Sequence, residues 1–302
     1  MRSFPFWRVD VFAARPLEGN ALAVFPRPQG LTDAEMLAIT REMNISETTF
    51  LQAPTLQGAD YRNRIFTPGG ELPFAGHPTI GSAYVAAEEG IIGKSEGVVT
   101  AHQQDGLGLT PVKLEVEGGR VTRIAMTQAR PKQGRRFAKV DSLAKALGVK
   151  PRDIRGSGMV PQVTSTGAAS LQVPLASSEL VRGLNPDLRA LGKIARAVST
   201  DPGVYCFALL DGNEADVHSR GFFPLQGIPE DPGTGSAAGA CGAFLGFAGR
   251  LPEKQWFVIA QGAEVHRPSR IEVAVAMERG RPTQVRVAGK VQPVMQGTLQ
   301  LA

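Results

Sequence analysis

The stretch Gly227–Phe244, GIPEDPGTGSAAGACGAF, is the pattern on which the fold prediction rests. A Gly-Thr-Gly-Ser turn at residues 233–236 leads there into a run of small residues. Glycine permits backbone angles that other residues avoid, and Thr234 or Ser236 can cap a helix with a side-chain oxygen. A helix start presents unpaired N–H groups and a positive dipole end, which attract a carboxylate or phosphate. We therefore predict an anion-binding helix start; the alternative is close helix packing, which also favours Gly and Ala.

The same arrangement occurs earlier in the chain, in Thr67–Thr79, TPGGELPFAGHPT, which runs into a predicted helix over Ile80–Glu89. Gly76 and Gly235 are 159 residues apart, and the same interval separates the helix-ending glycines Gly90 and Gly249. Each half thus has a strand, a Gly-rich turn, a small-residue helix start and a Gly stop. This repeat predicts two similar domains whose helix starts face one cleft, a common place for a ligand pocket.

Composition excludes several classes of protein. The chain has 302 residues, 42% of them hydrophobic, which suffices for one large domain or two of ordinary size. The net charge of +5 is mild, and the densest basic run, Arg130–Lys139, has one aromatic residue. Nucleic-acid readers more often pair such charge with several stacking aromatics, so we interpret the run as a solvated connector and expect no nucleic-acid partner.

We also expect no membrane partner and a cytoplasmic location. Charges at Arg2, Arg8 and Asp10 break any signal-peptide core, and no stretch approaches the ~20 apolar residues of a membrane span. Two cysteines make neither a disulfide framework nor a zinc site.

The order of the predicted elements indicates an α+β fold. Short β-rich runs at the start are followed by a helix that opens with the capping box Thr32–Glu35. Strands then surround one or two helices without regular βαβ alternation. After the basic connector we predict a helix over Asp141–Leu147, capped by Asp141, and a second over Pro186–Ala197.

Four side chains near these turns and strand ends suit acid–base chemistry. Glu47 begins a predicted strand and is either a catalytic carboxylate or a surface residue. His77 follows Gly76 at a predicted helix start, where the dipole lowers the pKa of a histidine and keeps it neutral; a capping or core role is the alternative. Asp231 is a reactive acid or a cap, and Ser236 a carboxylate ligand, a cap or both. Thr234 is grouped with Ser236 as a substrate-binding residue.

The sequence motifs typical of other enzyme classes are weak or absent. Residues 233–238 match a loose G-x-G-x-x-A dinucleotide pattern, but no apolar strand precedes the turn. The chain has neither a P-loop nor a G-x-S-x-G elbow, and His102, His218 and His266 lie in no metal spacing, so we interpret them as surface or strand residues. We expect no metal and no cofactor. The remaining Glu, His, Asp and Ser are the groups that move a proton on a small acidic molecule.

The chain resembles the phenazine-biosynthesis-like (PhzF-like) isomerases of the diaminopimelate-epimerase fold. The resemblance rests on segments in family order over nearly the whole chain: Val9–Phe12, Gly19–Ala21, Asn44–Thr48, Phe66–Pro68, Glu71–His77, Ser165–Gly167 and Glu230–Ala237. It implies two similar α+β domains, each a barrel-like mixed β-sheet around a central helix. The last strand returns to the first domain, which gives domains of residues 1–127 plus 291–302 and of residues 128–290.

The resemblance also implies roles. Glu47 falls on the family's general acid/base, and His77, Asp231 and Ser236 on residues that bind substrate polar groups and assist proton delivery. Gly76 and Gly235 offer backbone N–H groups to the substrate anion. A cleft between the domains, a homodimer and cofactor-independent catalysis are implied as well. Gly233 departs from the alanine more usual at its position.

The cysteines bear on the choice of mechanism. The epimerase branch uses two thiols, one from each domain, but the corresponding turns here contain none. Cys241 lies seven residues beyond Thr234, roughly 10 Å along a helix at 1.5 Å per residue, and Cys206 lies within a predicted strand. We therefore expect a one-carboxylate isomerase acting on a small carboxylate-bearing substrate. The alternatives are a silent acid-binding protein of the same fold, a two-base racemase and, with less support, a dinucleotide-dependent oxidoreductase.

Overall fold

The computed structural model describes residues 1–198, 203–212 and 214–301. These residues form two compact units. Unit 1 comprises Met1–Thr127 and the segment from Ala288 onward, and unit 2 comprises Gln128–Val287. Each unit is a curled mixed sheet with a helix at its centre, so the prediction of an α+β fold is confirmed.

Unit 1 has two helices, α1 (Asp33–Met43) and α2 (Gly76–Glu88). Its strands are β1 (Arg2–Val11), β2 (Asn20–Phe25), β3 (Glu47–Gln52), β4 (Tyr61–Thr67), β5 (Gly70–Leu72), β6 (Gly97–Asp105), β7 (Gly108–Glu117), β8 (Arg120–Thr127) and β18 (Val291–Leu301).

Unit 2 has the helices α3 (Val140–Leu147), α4 (Pro151–Arg155), α5 (Ser178–Arg182), α6 (Leu188–Val198) and α7 (Gly235–Ala248). Its strands are β9 (Lys132–Arg136), β10 (Gln162–Ser165), β11 (Ala169–Pro174), β12 (Gly203–Leu209), β13 (Val217–Phe223), β14 (Ile228–Asp231), β15 (Phe257–Gln261), β16 (Ser269–Glu278) and β17 (Arg281–Gly289), whose last two residues belong to unit 1.

The strand pairing of unit 1 joins the two ends of the described chain. β1 lies between β2 and β18 and is antiparallel to both, so that Arg2 pairs with Leu301. β2 and β3 are parallel, and β3 and β4 are antiparallel. α2 is almost wholly buried. A Cβ on its Gly81 would lie 2.6 Å from Leu22 Cδ2, so only glycine lets the helix approach the sheet this closely.

Unit 2 repeats this plan around α7, which is also almost wholly buried. β11 and β12 are parallel, β12 and β13 antiparallel, and β13 and β15 parallel. A Cβ on Gly242 would lie 2.7 Å from Val273 Cγ1. The small residues in the body of α7 therefore allow close packing on the sheet. Gly90 and Gly249, which follow α2 and α7, both have positive φ angles, of 69° and 65°.

Three local predictions need correction. α2 begins at Gly76 and not at Ile80, because its first residues are those of the Gly-rich turn itself. α3 begins at Val140 with Lys139 in the N-cap position, so Asp141 lies inside the first turn and does not cap the helix. The predicted connector contains β9, which pairs with β10. All residues of β9 are exposed, so its sequence shows no alternation of apolar and polar residues.

Of the helices in the described part of the chain, none has both the length and the apolar character that crossing a bilayer takes.

Candidate active site

In unit 1 the structure brings together Glu47 and His77. Glu47 is the first residue of β3, and the parallel register with β2 places it opposite Leu22. His77 is the second residue of α2. Its Nε2 lies 3.4 Å from Oε2 of Glu47, and the two side chains are only 3% and 10% exposed. A carboxylate and an imidazole thus face each other out of water.

The His77 ring is held from its other side by Asn20. Asn20 Nδ2 lies 3.1 Å from Nδ1 of the ring, which turns Nε2 towards Glu47. Burial lowers the pKa of His77 to about 3, although a backbone hydrogen bond with Ala21 acts in the opposite direction. The ring is therefore neutral near pH 7. The position of His77 at a helix start predicts that the helix dipole lowers this pKa; the main cause in the structure is burial.

Hydrogen bonds between buried polar side chains hold the first turn of α2 in place. Ala75 occupies the N-cap position and supplies no side-chain cap. Its carbonyl accepts a hydrogen bond from the Thr79 hydroxyl at 2.8 Å, and Nε2 of Gln103 donates to Thr79 Oγ1 at 3.0 Å. The Tyr61 hydroxyl in turn donates to Gln103 Oε1 at 3.3 Å. These bonds fix the turn that holds Gly76 and His77.

In unit 2 the structure brings together Asp231, Thr234, Gly235 and Ser236. Asp231 ends β14 and is buried, and Gly235 begins α7. Thr234 occupies the N-cap position, but its hydroxyl donates to Oδ2 of Asp231 and does not cap the helix. Ser236, the second residue of α7, is half-buried. As in unit 1, no side-chain cap occupies the first turn.

Gln261, which was not among the predicted site residues, holds this turn through its side-chain amide. Its Nε2 donates to the Asp231 carbonyl at 2.7 Å and to Thr234 Oγ1 at 3.0 Å. Its Oε1 accepts from the Thr234 N–H at 3.2 Å and from the Tyr205 hydroxyl at 2.9 Å. All four hydrogen-bonding positions of the amide are used. The available signal was a lone polar residue ending the apolar run FVIAQ before Gly262.

The two units share this tyrosine–glutamine pair. Tyr61 donates to Gln103 in unit 1 as Tyr205 donates to Gln261 in unit 2. In both units the glutamine amide then reaches a threonine hydroxyl in or beside the first turn of the central helix, Thr79 or Thr234. The two glutamines lie on corresponding strands, β6 and β15, whereas the tyrosines lie on β4 and β12, which do not correspond. The units therefore share the type of hydrogen-bond network but not the position of the tyrosine.

A further glutamine contacts the start of α7. Gln128 Nε2 donates to the Gly235 carbonyl at 3.0 Å, and its Oε1 accepts from the Thr166 hydroxyl at 2.6 Å. A Cβ on Gly239 would lie 1.9 Å from this Oε1. Glycine at position 239 therefore leaves the space that the Gln128 side chain fills.

Neither cysteine is exposed. Cys206 and Cys241 both belong to unit 2 and are fully buried, and burial raises the pKa of both thiols well above the usual range. Neither is suited to act as a thiolate base at neutral pH. Among the described residues, no three His, Cys, Asp or Glu side chains cluster in a way that could hold a metal ion.

The chain is similar in sequence to known proteins of one family. The model of the phenazine biosynthesis-like protein family (PhzC-PhzF) matches residues 9–297. The trans-2,3-dihydro-3-hydroxyanthranilate isomerase of Pseudomonas aeruginosa is 36% identical over 281 residues, covering 93% of this chain and 94% of the relative.

Two solved structures are similar over the whole chain. A phenazine biosynthesis protein of the PhzF family from Bacillus anthracis matches with a TM-score of 0.87 at 25% identity, covering 100% of both chains. A Pseudomonas aeruginosa protein described as a predicted epimerase matches with a TM-score of 0.81 at 33% identity, covering 99% of this chain and 100% of the other.

Proposed function

The chain belongs to the phenazine biosynthesis-like family and is an isomerase, and we propose that Glu47 moves a proton between two carbon atoms of a small carboxylate-bearing substrate. The observation that supports this best is the 3.4 Å approach of Glu47 Oε2 to His77 Nε2 in a buried setting. A carboxylate that removes a proton from one carbon and returns it to another needs no second base.

In the proposed mechanism Glu47 removes the proton as general base and delivers it as general acid. Positioned acid–base groups of this kind contribute about 10²–10⁴-fold to a rate. His77 remains neutral because burial lowers its pKa. Its Nε2 has no hydrogen-bond partner among the described residues and is therefore able to bind the substrate or assist proton delivery beside Glu47.

We propose that the substrate carboxylate binds at the starts of α2 and α7. Neither helix has a side-chain cap, so the backbone N–H groups of Gly76 and Gly235 are suited to an anion. At the start of α7, Ser236 and Thr234 add hydroxyl groups and Asp231 adds a carboxylate. In this proposal residues 1–127 with 291–302 form one domain, residues 128–290 form the other, and groups of both act on one substrate.

The two-base racemase is disfavoured because both thiols are buried in one unit. The silent acid-binding protein remains the second candidate, since the same turns would bind a carboxylate without turnover. We also propose a cytoplasmic homodimer that needs no cofactor and binds neither nucleic acid nor membranes.

The test is hydrogen exchange into the substrate in D₂O, followed by NMR. The panel contains cyclic and amino-acid-derived carboxylates, among them trans-2,3-dihydro-3-hydroxyanthranilate, the compound in the name of the P. aeruginosa relative. We expect exchange with one of them at carbon, lost in Glu47→Gln and retained in Glu42→Gln, the same change at an exposed glutamate. Binding without exchange across the panel would favour the silent binding protein.

A further inference from the structure

Unit 2 contains a second group of reactive side chains, Ser178, His218 and Glu264, which the proposed isomerisation does not use. The Oγ of Ser178 lies 2.8 Å from Nδ1 of His218. The Nε2 of His218 lies 2.9 Å from Oε1 of Glu264. A serine hydroxyl, an imidazole and a carboxylate are thus joined in one line of hydrogen bonds.

Three separate elements bring these residues together. His218 lies in β13 and is buried, with 7% of its surface exposed. Glu264 lies in the short 3-10 helix Ala263–Val265 directly after β15, the strand parallel to β13. Ser178 is the first residue of α5 and is half-buried. The side chains of His218 and Glu264 are only 9% and 11% exposed.

The three side chains line a cavity of about 570 Å³ that is open to solvent. Arg182, one helical turn after Ser178 on α5, lines the same cavity. Positions four apart lie on the same face of a helix, so a guanidinium and the serine hydroxyl border the same space. A small molecule in the cavity can reach the hydroxyl.

The state of Glu264 fits a functional role. Burial acts to raise the pKa of Glu264, but hydrogen bonds from His218 and from its own backbone, together with the charges of His218 and Arg220, outweigh burial and lower this pKa, so the group stays ionised. Its Oε2 is buried and has no hydrogen-bond partner among the described residues. Such an unsatisfied buried atom in a native protein is costly and calls for a functional or structural explanation.

We propose that this cavity is a second site, an acyl-transfer site in which Ser178 is the nucleophile, His218 the general base and Glu264 the orienting carboxylate. The substrate class is a small ester of a carboxylic acid. The line of hydrogen bonds from acid to base to nucleophile has the arrangement that activates serine on unrelated folds, with the two ring nitrogens of the histidine exchanged.

The reaction balances with water as the only co-reactant. Ser178 Oγ attacks the ester carbonyl carbon while its proton passes to Nδ1 of His218, and the Glu264 carboxylate stabilises the imidazolium. Arg182, which lines the same cavity, supplies a cation for the developing oxyanion. The carbon–oxygen bond to the alcohol then breaks, and the alcohol takes the proton from His218. Water, activated in the same way, hydrolyses the acyl-serine, so ester and water give acid and alcohol.

The experiment uses the full chain with a fluorophosphonate probe and p-nitrophenyl acetate. We expect covalent labelling of the peptide that contains Ser178, found by mass spectrometry. Ser178→Ala should abolish the label and lower ester hydrolysis by about 100-fold or more. Ser95→Ala, the same change at an exposed serine of unit 1, should retain both activities, and circular dichroism establishes that each variant is folded.

Two further variants make the outcome decisive. Glu264→Gln keeps the shape of the side chain but removes its charge, so labelling should slow by about 10-fold or more. Glu47→Gln should leave labelling unchanged, which separates this site from the proposed isomerisation. If the folded wild-type protein is not labelled, or if Ser178→Ala is labelled equally, the three residues only tie α5 to β13 and the proposal is wrong.

Discussion

His77 Nε2 lies 3.4 Å from Glu47 Oε2, and both side chains are buried. The distance is too long for a good hydrogen bond, yet the atoms face each other directly. Because the ring is neutral, the pair is not held by a full ion-pair attraction. The placement of the ring therefore depends on its contact with Asn20 and on the buried polar side chains that hold the first turn of α2. Because a buried ring is costly to protonate, the stability of the fold depends on whether His77 is charged.

Protonation of His77 should make the fold less stable in mildly acidic solution. The pKa of His77 is about 3 when folded, against 6.5 for an unperturbed histidine. Above pH 6.5 both states bind no proton there; below it the unfolded state binds more. Stability should therefore fall by about 1.4 kcal/mol per pH unit as pH drops from 6.5 towards 3. Urea unfolding at pH 7.5 and pH 5.0 measures this, and a His77→Asn variant that showed the same loss would contradict it.

Removing the Gln261 amide should impair binding at the start of α7. Gln261→Leu leaves the Asp231 carbonyl and the Thr234 N–H without their partner, at a cost of about 1–3 kcal/mol for each unsatisfied buried group. The proposed substrate should therefore bind more weakly, as seen in KM.

A milder change, at the tyrosine that bonds to Gln261, tests whether Gln261 positions the start of α7. Tyr205→Phe removes a hydroxyl that bonds to Gln261 and to Ser219, and Tyr61→Phe removes the hydroxyl that donates to Gln103 in unit 1. If substrate binding were unchanged in a folded Gln261→Leu variant, Gln261 would have no positioning role.

An added methyl group at position 239 should destabilise unit 2. In Gly239→Ala the Cβ would lie 1.9 Å from Gln128 Oε1, so Gln128 must move and lose its bonds to Gly235 and Thr166. Overpacking of this kind costs about 1–3 kcal/mol, measured as a lower urea midpoint. Gly93→Ala is the control, because a Cβ there meets nothing within 4 Å. Shortening Gln128 to alanine in the same chain should recover part of the packing loss.

Both cysteines should be inert in the folded protein. Cys206 and Cys241 are fully buried and burial raises their pKa, so a disulfide reagent should titrate no thiol natively and two after unfolding in guanidinium. Cys241→Ala should keep the proton exchange of the parent protein. A folded Cys241→Ala protein that lost this exchange would restore the two-base mechanism.

Short sequence patterns predict the main features of the architecture. The Gly-rich turns at Gly76 and Gly235 predicted two similar domains, because only a few residue types fit a tight turn beside a packed helix. The central helix of each domain was implied by the resemblance to the family. His77 and Asp231 are recognisable as candidates because they adjoin these turns. Glu47 is recognisable as the acid at a strand entrance.

The supporting residues could not be predicted in the same way. Gln261 is bonded to Tyr205 and Thr234, which lie 56 and 27 positions away, and no spacing rule links strands that distant. His218 was interpreted as a surface or strand residue, and it is a buried strand residue whose partners come from two other elements. Long-range pairing of strands, which sequence periodicity does not encode, decides these contacts.

The pairing of β1 with β18 bears on how the protein folds during synthesis. Unit 2 is continuous in the chain, whereas unit 1 includes a strand that leaves the ribosome after all of unit 2. One edge of β1 therefore stays unpaired while some 280 residues are translated. At about 5–20 residues per second this interval lasts tens of seconds. During that interval unit 2 can fold completely, and the exposed β1 edge makes the nascent chain a client for chaperones.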